Sequence, residues 1–315
     1  MYEKICEKYS FVKGFNIQPD WGRTGPQIWL NFDAERYEMM IKIGKERFPS
    51  MNTLRVWLSF DAYMQDRVTY LENVKKACDI LTKEDICIIP TYFNGWVGMP
   101  CFGAFTKECI GKNKRSAYLK CLRETVEAIK DTKILMHDIA NEPYNNAFDH
   151  EEYFAEVTDF LIHMTEELRK IDSRPITIGS QCYYRENKAL CDMDVLAPHE
   201  DVITLHPYNQ QNKPVEEFEK EFTEILDYLV QFDKPIIITE CCWAAPTAEG
   251  RKPYMESELA VYKKYGIGYL VQGLFTSPVA DLHPVEESYV EDGLYMAFLD
   301  RDFNIRPYHD IFNKI

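Results

Sequence analysis

Three observations predict an α/β fold whose parallel strands close into one (β/α)8 TIM barrel. First, short β-branched runs alternate with longer segments of helical spacing, eight runs in all. Second, several runs, such as Ile236-Ile237-Ile238, are continuously apolar, as expected of strands covered on both faces. Third, 315 residues suit one such barrel, typically about 250 residues before insertions. No linker, low-complexity tract or charge block divides the chain, so residues 1–315 read as a single domain.

In chain order the predicted strands are Phe11–Asn16, Asn52–Leu58, Ile86–Phe93, Lys133–Ala140, Pro175–Gly179, Val202–His206, Pro235–Thr239 and Gly268–Phe275. Predicted helices are Ala34–Arg47, Tyr70–Lys83, Asn113–Lys130, Glu151–Ile171 and Val215–Phe232. In the last, Val215, Phe218, Phe222, Ile225, Leu226 and Leu229 recur at three- and four-residue steps, the spacing of one buried helix face. Ser180 to Glu200 is the least helix-like of the connecting segments. An open dinucleotide-binding sheet would want a GxGxxG loop after an early strand. Here the first strand ends in Gly14-Phe15-Asn16-Ile17 instead.

The composition, 46% hydrophobic and 28% charged, is that of an ordinary globular protein. A net charge of −15 disfavours nucleic acid and anionic membranes as partners, and says little about a neutral sugar. No apolar run of about 18 residues is present, so no membrane-spanning helix is expected. Met1 to Ser10 lacks the apolar stretch of a signal peptide. The ten cysteines are scattered, without zinc-ribbon spacing, and Cys241-Cys242 is their one adjacent pair. Both features lead us to expect a cytoplasmic protein, with secretion the alternative if a signal peptide has been removed.

Active sites of such barrels sit at the C-terminal ends of the strands. Placed there are Arg55 on strand two, Asn94 and Trp96 after strand three, and Asn141-Glu142-Pro143 on strand four. His206-Pro207-Tyr208 ends strand six, Glu240 and then Trp243 follow strand seven, and Gln272 lies on strand eight. Glu142 and Glu240 can face each other across the mouth. A pair of carboxyls about 5–5.5 Å apart is what a retaining glycosidase needs, one as nucleophile and one as acid/base. By side-chain alternation Glu240 is expected on the face of Ile236 and Ile238, and His206 on that of Thr204, with Pro207 keeping the chain extended so that Tyr208 continues it. Arg55 is positioned to hold Glu240 ionised. Glu142 must instead carry a proton at rest, which calls for partial burial or the neighbouring charge of Glu240. Taken alone, Glu142-Pro143 also reads as the start of a helix. Asp138 is expected in a buried polar network, His137 in a structural role, and Cys241 and Cys242 as packing residues. Trp96 and Trp243 suit either sugar stacking or core filling.

The strand-four Asn141-Glu142-Pro143 and strand-seven Thr239-Glu240 resemble glycoside hydrolase clan A, the retaining (β/α)8 group. Arg55, His206-x-Tyr208 and Gly14-Phe15-Asn16 narrow the resemblance to family 5-like cellulases and mannanases. It spans nearly the whole chain, and its specificity lies in the joint order of the motifs. It implies Glu142 as acid/base, Glu240 as nucleophile, Asn141 on the sugar 2-hydroxyl, Tyr208 and Arg55 holding Glu240, and His206 lining the reacting-sugar subsite. Tyr92-Phe93-Asn94-Gly95-Trp96 is similar to the strand-three segment of some mannanase-like members. One departure stands out: clan members usually carry tryptophan at the end of strand eight, where this chain has Gln272.

That departure motivates an alternative, a carbohydrate-binding barrel of weak activity. A metal-dependent barrel hydrolase would want His-x-His on strand one and further ligands. Strand one lacks it and the seven histidines are scattered, so no metal or cofactor is expected.

Overall fold

The computed structural model describes residues 2–94, 112–144, 154–179, 191–209, 212–278 and 296–315. Trp96 lies outside them. Eight parallel strands form the barrel: β1 (Lys13–Ile17), β2 (Thr53–Trp57), β3 (Cys87–Asn94), β4 (His137–Asn141), β5 (Ile176–Thr177), β6 (Ile203–Leu205), β7 (Ile236–Ile238) and β8 (Tyr269–Val271). Their order is β5-β4-β3-β2-β1-β8-β7-β6. Among the described residues, the main helices after the first seven strands are α1 (Ala34–Arg47), α2 (Arg67–Lys83), α3 (Lys112–Ile129), α4 (Phe154–Arg169), α5 (Cys191–Leu196), α6 (Val215–Leu229) and α7 (Ala248–Tyr265), with short helices Gly25–Leu30 before α1 and Phe60–Gln65 before α2. Among the described residues, β8 is followed by a short 3-10 helix, His309–Asn313. This is the (β/α)8 barrel that the alternation of runs predicts. The weak pattern after β5 corresponds to the six-residue α5. No described helix is long and apolar enough to cross a membrane.

Local chemistry sets the ends of the helices. The Asp33 and Asp66 side chains accept from the backbone N–H of Arg36 and Thr69 and so cap α1 and α2. Thr247 caps α7, which stops at Gly266 in the left-handed conformation.

Two apolar layers cover the strands. Leu54, Val56, Ile236, Ile238 and Val271 join the large cluster shared with the helices. Val12, Ile89, Met136, Val202, Ile237 and Leu270 form a separate cluster, which we place inside the barrel at its lower end. Gly14 belongs to the close packing of β1 against β2, because a Cβ there would lie 1.7 Å from the Thr53 carbonyl oxygen.

The ladder leaves β5 and β6 as its two edges. Closure there uses a backbone bond together with side chains. The Asp201 N–H donates to the Ile176 carbonyl at 2.8 Å, and the Asp201 carboxylate accepts from the Ile176 N–H at 3.0 Å. Glu200 accepts from the Ile178 N–H at 3.0 Å, and the Thr177 and Thr204 hydroxyls pair at 2.9 Å. Burial pushes the Glu200 carboxyl up to about 8.

Candidate active site

The register of β1 on β2 sets Asn16 beside Arg55. Arg55 is fully buried, and its planar fork serves four partners. Nε donates to Asp138 Oδ2 at 2.8 Å, and Nη2 donates to Asn141 Oδ1 at 3.0 Å. Nη1 donates to Asn16 Oδ1 at 2.9 Å and to Glu240 Oε1 at 2.6 Å. Burial by itself would weaken this cation. The carboxylates of Asp138 and Glu240 outweigh that effect and hold the guanidinium above its ordinary pKa. Asp138 also accepts the Thr91 hydroxyl at 2.8 Å, and its carboxyl is raised, chiefly by desolvation.

Glu142 follows the last residue of β4 with a left-handed backbone, φ 46°. That conformation is not a helix start, and for a residue other than glycine it costs about 1–3 kcal/mol. Such strain is characteristic of functional sites, where surrounding contacts hold a side chain in a required direction. His206 Nδ1 lies 3.0 Å from Glu142 Oε1 and 3.6 Å from Glu240 Oε2, so the imidazole sits between the two carboxylates. Its Nε2 lies 3.1 Å from the Thr239 hydroxyl. One oxygen of Glu142, one of Glu240 and a nitrogen of His206 all fall within 4.8 Å of one another.

The Tyr208 hydroxyl donates to Glu240 Oε2 at 2.6 Å, so both oxygens of Glu240 receive a donor. Tyr208 reaches this point through a turn: its N–H donates to the His206 carbonyl at 3.0 Å. Proline's fixed φ suits such a three-residue turn. The expectation of extended chain at Pro207 is therefore corrected. The alternation expected for Glu240 is corrected as well. Ile236 and Ile238 face the helices, so a continued strand would turn Glu240 outward. Pairing stops at Ile238, and the bend through Thr239 brings the carboxylate back into the mouth.

The remaining predicted residues are placed as follows. Asn94 Oδ1 accepts from Asn141 Nδ2 at 3.2 Å, joining β3 to the network. Trp243 packs edge-on against Tyr208, ring centroids 5.1 Å apart, and is half-buried. Gln272, just past β8, is 1% exposed. Its Nε2 makes a long contact, 3.9 Å, with the Met296 sulfur. Among the described residues, two sets have the spacing to hold a metal ion. In the first, Glu142, His206 and Glu240, both Glu240 oxygens already serve Arg55 and Tyr208. In the second, Cys241, Cys242 and Glu258, burial raises both thiols, which disfavours the thiolate a metal needs. Neither set fits a cation well.

Residues that sequence reasoning missed include Thr239 as the partner of His206, and Arg251, Glu258 and Tyr262 on α7. The α7 residues leave a signal, polar side chains at seven- and four-residue steps along a face that also carries the buried Met255.

An eight-stranded parallel barrel with polar groups gathered at its mouth defines a class, and comparison places the chain among the clan A glycoside hydrolases. The family model described as Cellulase (glycosyl hydrolase family 5) matches residues 17–272, and the chain belongs to that family. Among solved structures it is similar to an exo-beta-1,4-mannosidase from Opitutaceae bacterium strain TAV5, with 14% identity and a TM-score of 0.71 over 96% of this chain. That match spans 58% of the mannosidase chain. A family 5 mannosidase from Rhizomucor miehei gives 14% identity and a TM-score of 0.65, covering 96% of this chain and 91% of its own. A broad-specificity GH5-4 endoglucanase from Clostridium acetobutylicum gives 15% and 0.64, covering 97% and 96%. At these identities the likeness is one of fold. A search of curated proteins returned no match.

Proposed function

We propose that the chain is a retaining β-glycoside hydrolase acting on β-linked oligo- or polysaccharide, with Glu240 as nucleophile and Glu142 as acid/base. The observation that carries this reading is the asymmetry of the two carboxylates. Glu240 has a guanidinium donor on one oxygen and a phenol donor on the other, which hold it in a fixed direction, as a nucleophile requires. Glu142 faces the imidazole of His206, a group able to accept a carboxyl proton when its Nε2–H points to Thr239. The spacing agrees with double displacement, since oxygens of the two groups lie within 4.8 Å.

In the first step a Glu240 oxygen bonds to the anomeric carbon and the glycosidic C–O bond breaks. The proton of Glu142 passes to the departing oxygen. In the second step the Glu142 carboxylate takes a proton from water, whose oxygen bonds to the anomeric carbon as the bond to Glu240 breaks. Asn141, fixed by Arg55 and Asn94, is placed to bind a sugar hydroxyl beside Glu142. β-Mannosides and β-glucosides are the first substrates to test, given the mannosidase and endoglucanase among the similar folds. Cys6, Cys78, Cys87, Cys121, Cys241 and Cys242 are unpaired, in keeping with a cytoplasmic location, where oligosaccharides rather than insoluble polymers are accessible.

The test uses azide, which needs no deprotonation. Glu142→Ala should still cleave dinitrophenyl glycosides, and azide should restore turnover with a β-glycosyl azide as product. Glu240→Ala should fail on every substrate, and azide entering its emptied side should give the α-product. Opposite anomers by NMR would mean the two roles are exchanged. Full activity in both variants would remove the assignment. Gln272 favours a second reading, a sugar-binding barrel of weak activity, and brisk turnover of aryl β-glycosides by the unaltered protein would dismiss it.

A further inference from the structure

Tyr208 and Glu240 meet beyond the ends of their strands: β6 stops at Leu205 and β7 at Ile238, and past Glu240 the Cys241 carbonyl accepts from the Gln272 N–H at 2.9 Å. Helix α7 supplies what the ladder does not. Arg251, Met255, Glu258 and Tyr262 follow one another at steps of four, three and four, so they share one helix face. All four are buried. Arg251 donates to the carbonyls of Cys242, Trp243, Gln272 and Ala297. The Tyr262 hydroxyl donates to the Pro207 carbonyl at 3.0 Å. Glu258 accepts from two backbone groups at once: Oε1 from the Asn209 N–H at 2.7 Å, and Oε2 from the Cys242 N–H at 2.5 Å. Asn209 is the residue after Tyr208, and Cys242 lies two residues after Glu240.

We propose that Glu258 is a positioning residue for hydrolysis: one carboxylate, bound to both chain segments, sets the separation of the Tyr208 hydroxyl from Glu240. This rests on reading Glu240 as the nucleophile. A neutral side chain of the same size cannot replace the carboxylate, because an amide offers one acceptor oxygen and sets its NH2 against the second N–H. Retaining an acid in this place is costly, since burial pushes the Glu258 carboxyl up to about 7 against the pull of those two N–H groups and Arg251. The left-handed Cys242, φ 59°, is the point the carboxylate grips. Cys241, Cys242, Arg251 and Tyr262 are the titratable groups around Glu258. Arg55, His206, Tyr208 and Glu142 are those around Glu240.

The experiment compares kcat and KM on an aryl β-glycoside for the parent, Glu258→Gln, Tyr208→Phe, the double variant and Glu240→Ala. Glu258→Gln should lower kcat about tenfold or more with KM little changed, as expected for misplacement near the reacting atoms. The double variant should be no worse than Tyr208→Phe within about twofold. A general structural role would make the two losses multiply, and that result overturns the proposal. Glu258→Asp keeps the charge with a shorter reach and should be intermediate; if the Gln variant does not fold, the same criteria apply to the Asp variant. An inactive Glu240→Ala beside a parent-like Glu258→Gln sinks only this inference. An active Glu240→Ala sinks the nucleophile assignment itself.

Discussion

From β1 to β4 the strands run five to eight residues, whereas from β5 to β8 they run two or three. The two halves accordingly hold their parts of the mouth by different means. In the first half the strands carry their polar residues side by side, and the Arg55 fork ties Asn16, Asp138 and Asn141 together directly. In the second half the strands end early, and side chains from outside the ladder grip the backbone: Arg251, Glu258 and Tyr262 from α7, with Glu200 and Asp201 at the β5–β6 seam. A strand fixes every residue it carries through regular pairing. A carboxylate or guanidinium fixes only the amides it touches, so the second half depends on a few individual residues.

The largest expected effect breaks the first half. Arg55→Ala leaves Asp138 and Glu240 buried without their cation, which should cost about 3–5 kcal/mol of stability and most of the activity. Denaturant unfolding and assay on an aryl glycoside check both. An Arg55→Ala variant that unfolds like the parent would mean the network is not what braces this half. Arg251→Met tests the second half. The carbonyls of Cys242 and Gln272 would lose their buried donor, for an expected cost of about 2–3 kcal/mol. An unchanged unfolding midpoint would contradict the role given to α7.

The seam between β5 and β6 makes a prediction about pH. Glu200 has a folded pKa of about 8 against about 4.5 when exposed, so the folded state binds the proton more tightly. Its favourable contribution is full below about 4.5 and is lost as pH rises toward 8. Stability of the parent should therefore decline relative to Glu200→Gln across that window, with a slope approaching about 1.4 kcal/mol per pH unit at most. Unfolding curves at pH 5 and pH 8 measure it, and a relative gain at pH 8 would contradict the assignment of the charge. The smallest effect sharpens the junction of the halves, where β6 meets β7. Thr239→Val removes the hydroxyl at His206 Nε2 and should reduce kcat/KM several-fold, equivalent to about 1 kcal/mol. A variant with parent kinetics would show that the imidazole is oriented without Thr239.

The sequence by itself determined the barrel, the C-terminal ends of every strand but β8 to within one or two residues, and the candidates at those ends. Patterns carried this information because they are local. The apolar face of α6 is visible in the spacing of Phe218, Phe222 and Leu229. Asn141-Glu142-Pro143 and His206-x-Tyr208 are contiguous in the chain. Tertiary structure alone decided how these residues turn toward one another. Alternation would have sent Glu240 outward with Ile236 and Ile238, and it faces the mouth because β7 loses its pairing one residue earlier. Tyr208 arrives through a turn at Pro207, and Glu142 through a left-handed backbone. Glu258 reaches Asn209 across 49 residues of chain. The physical reason is common to all of them. Periodicity describes regular backbone, and a mouth is built where that regularity stops, so direction there is set by long-range hydrogen bonds.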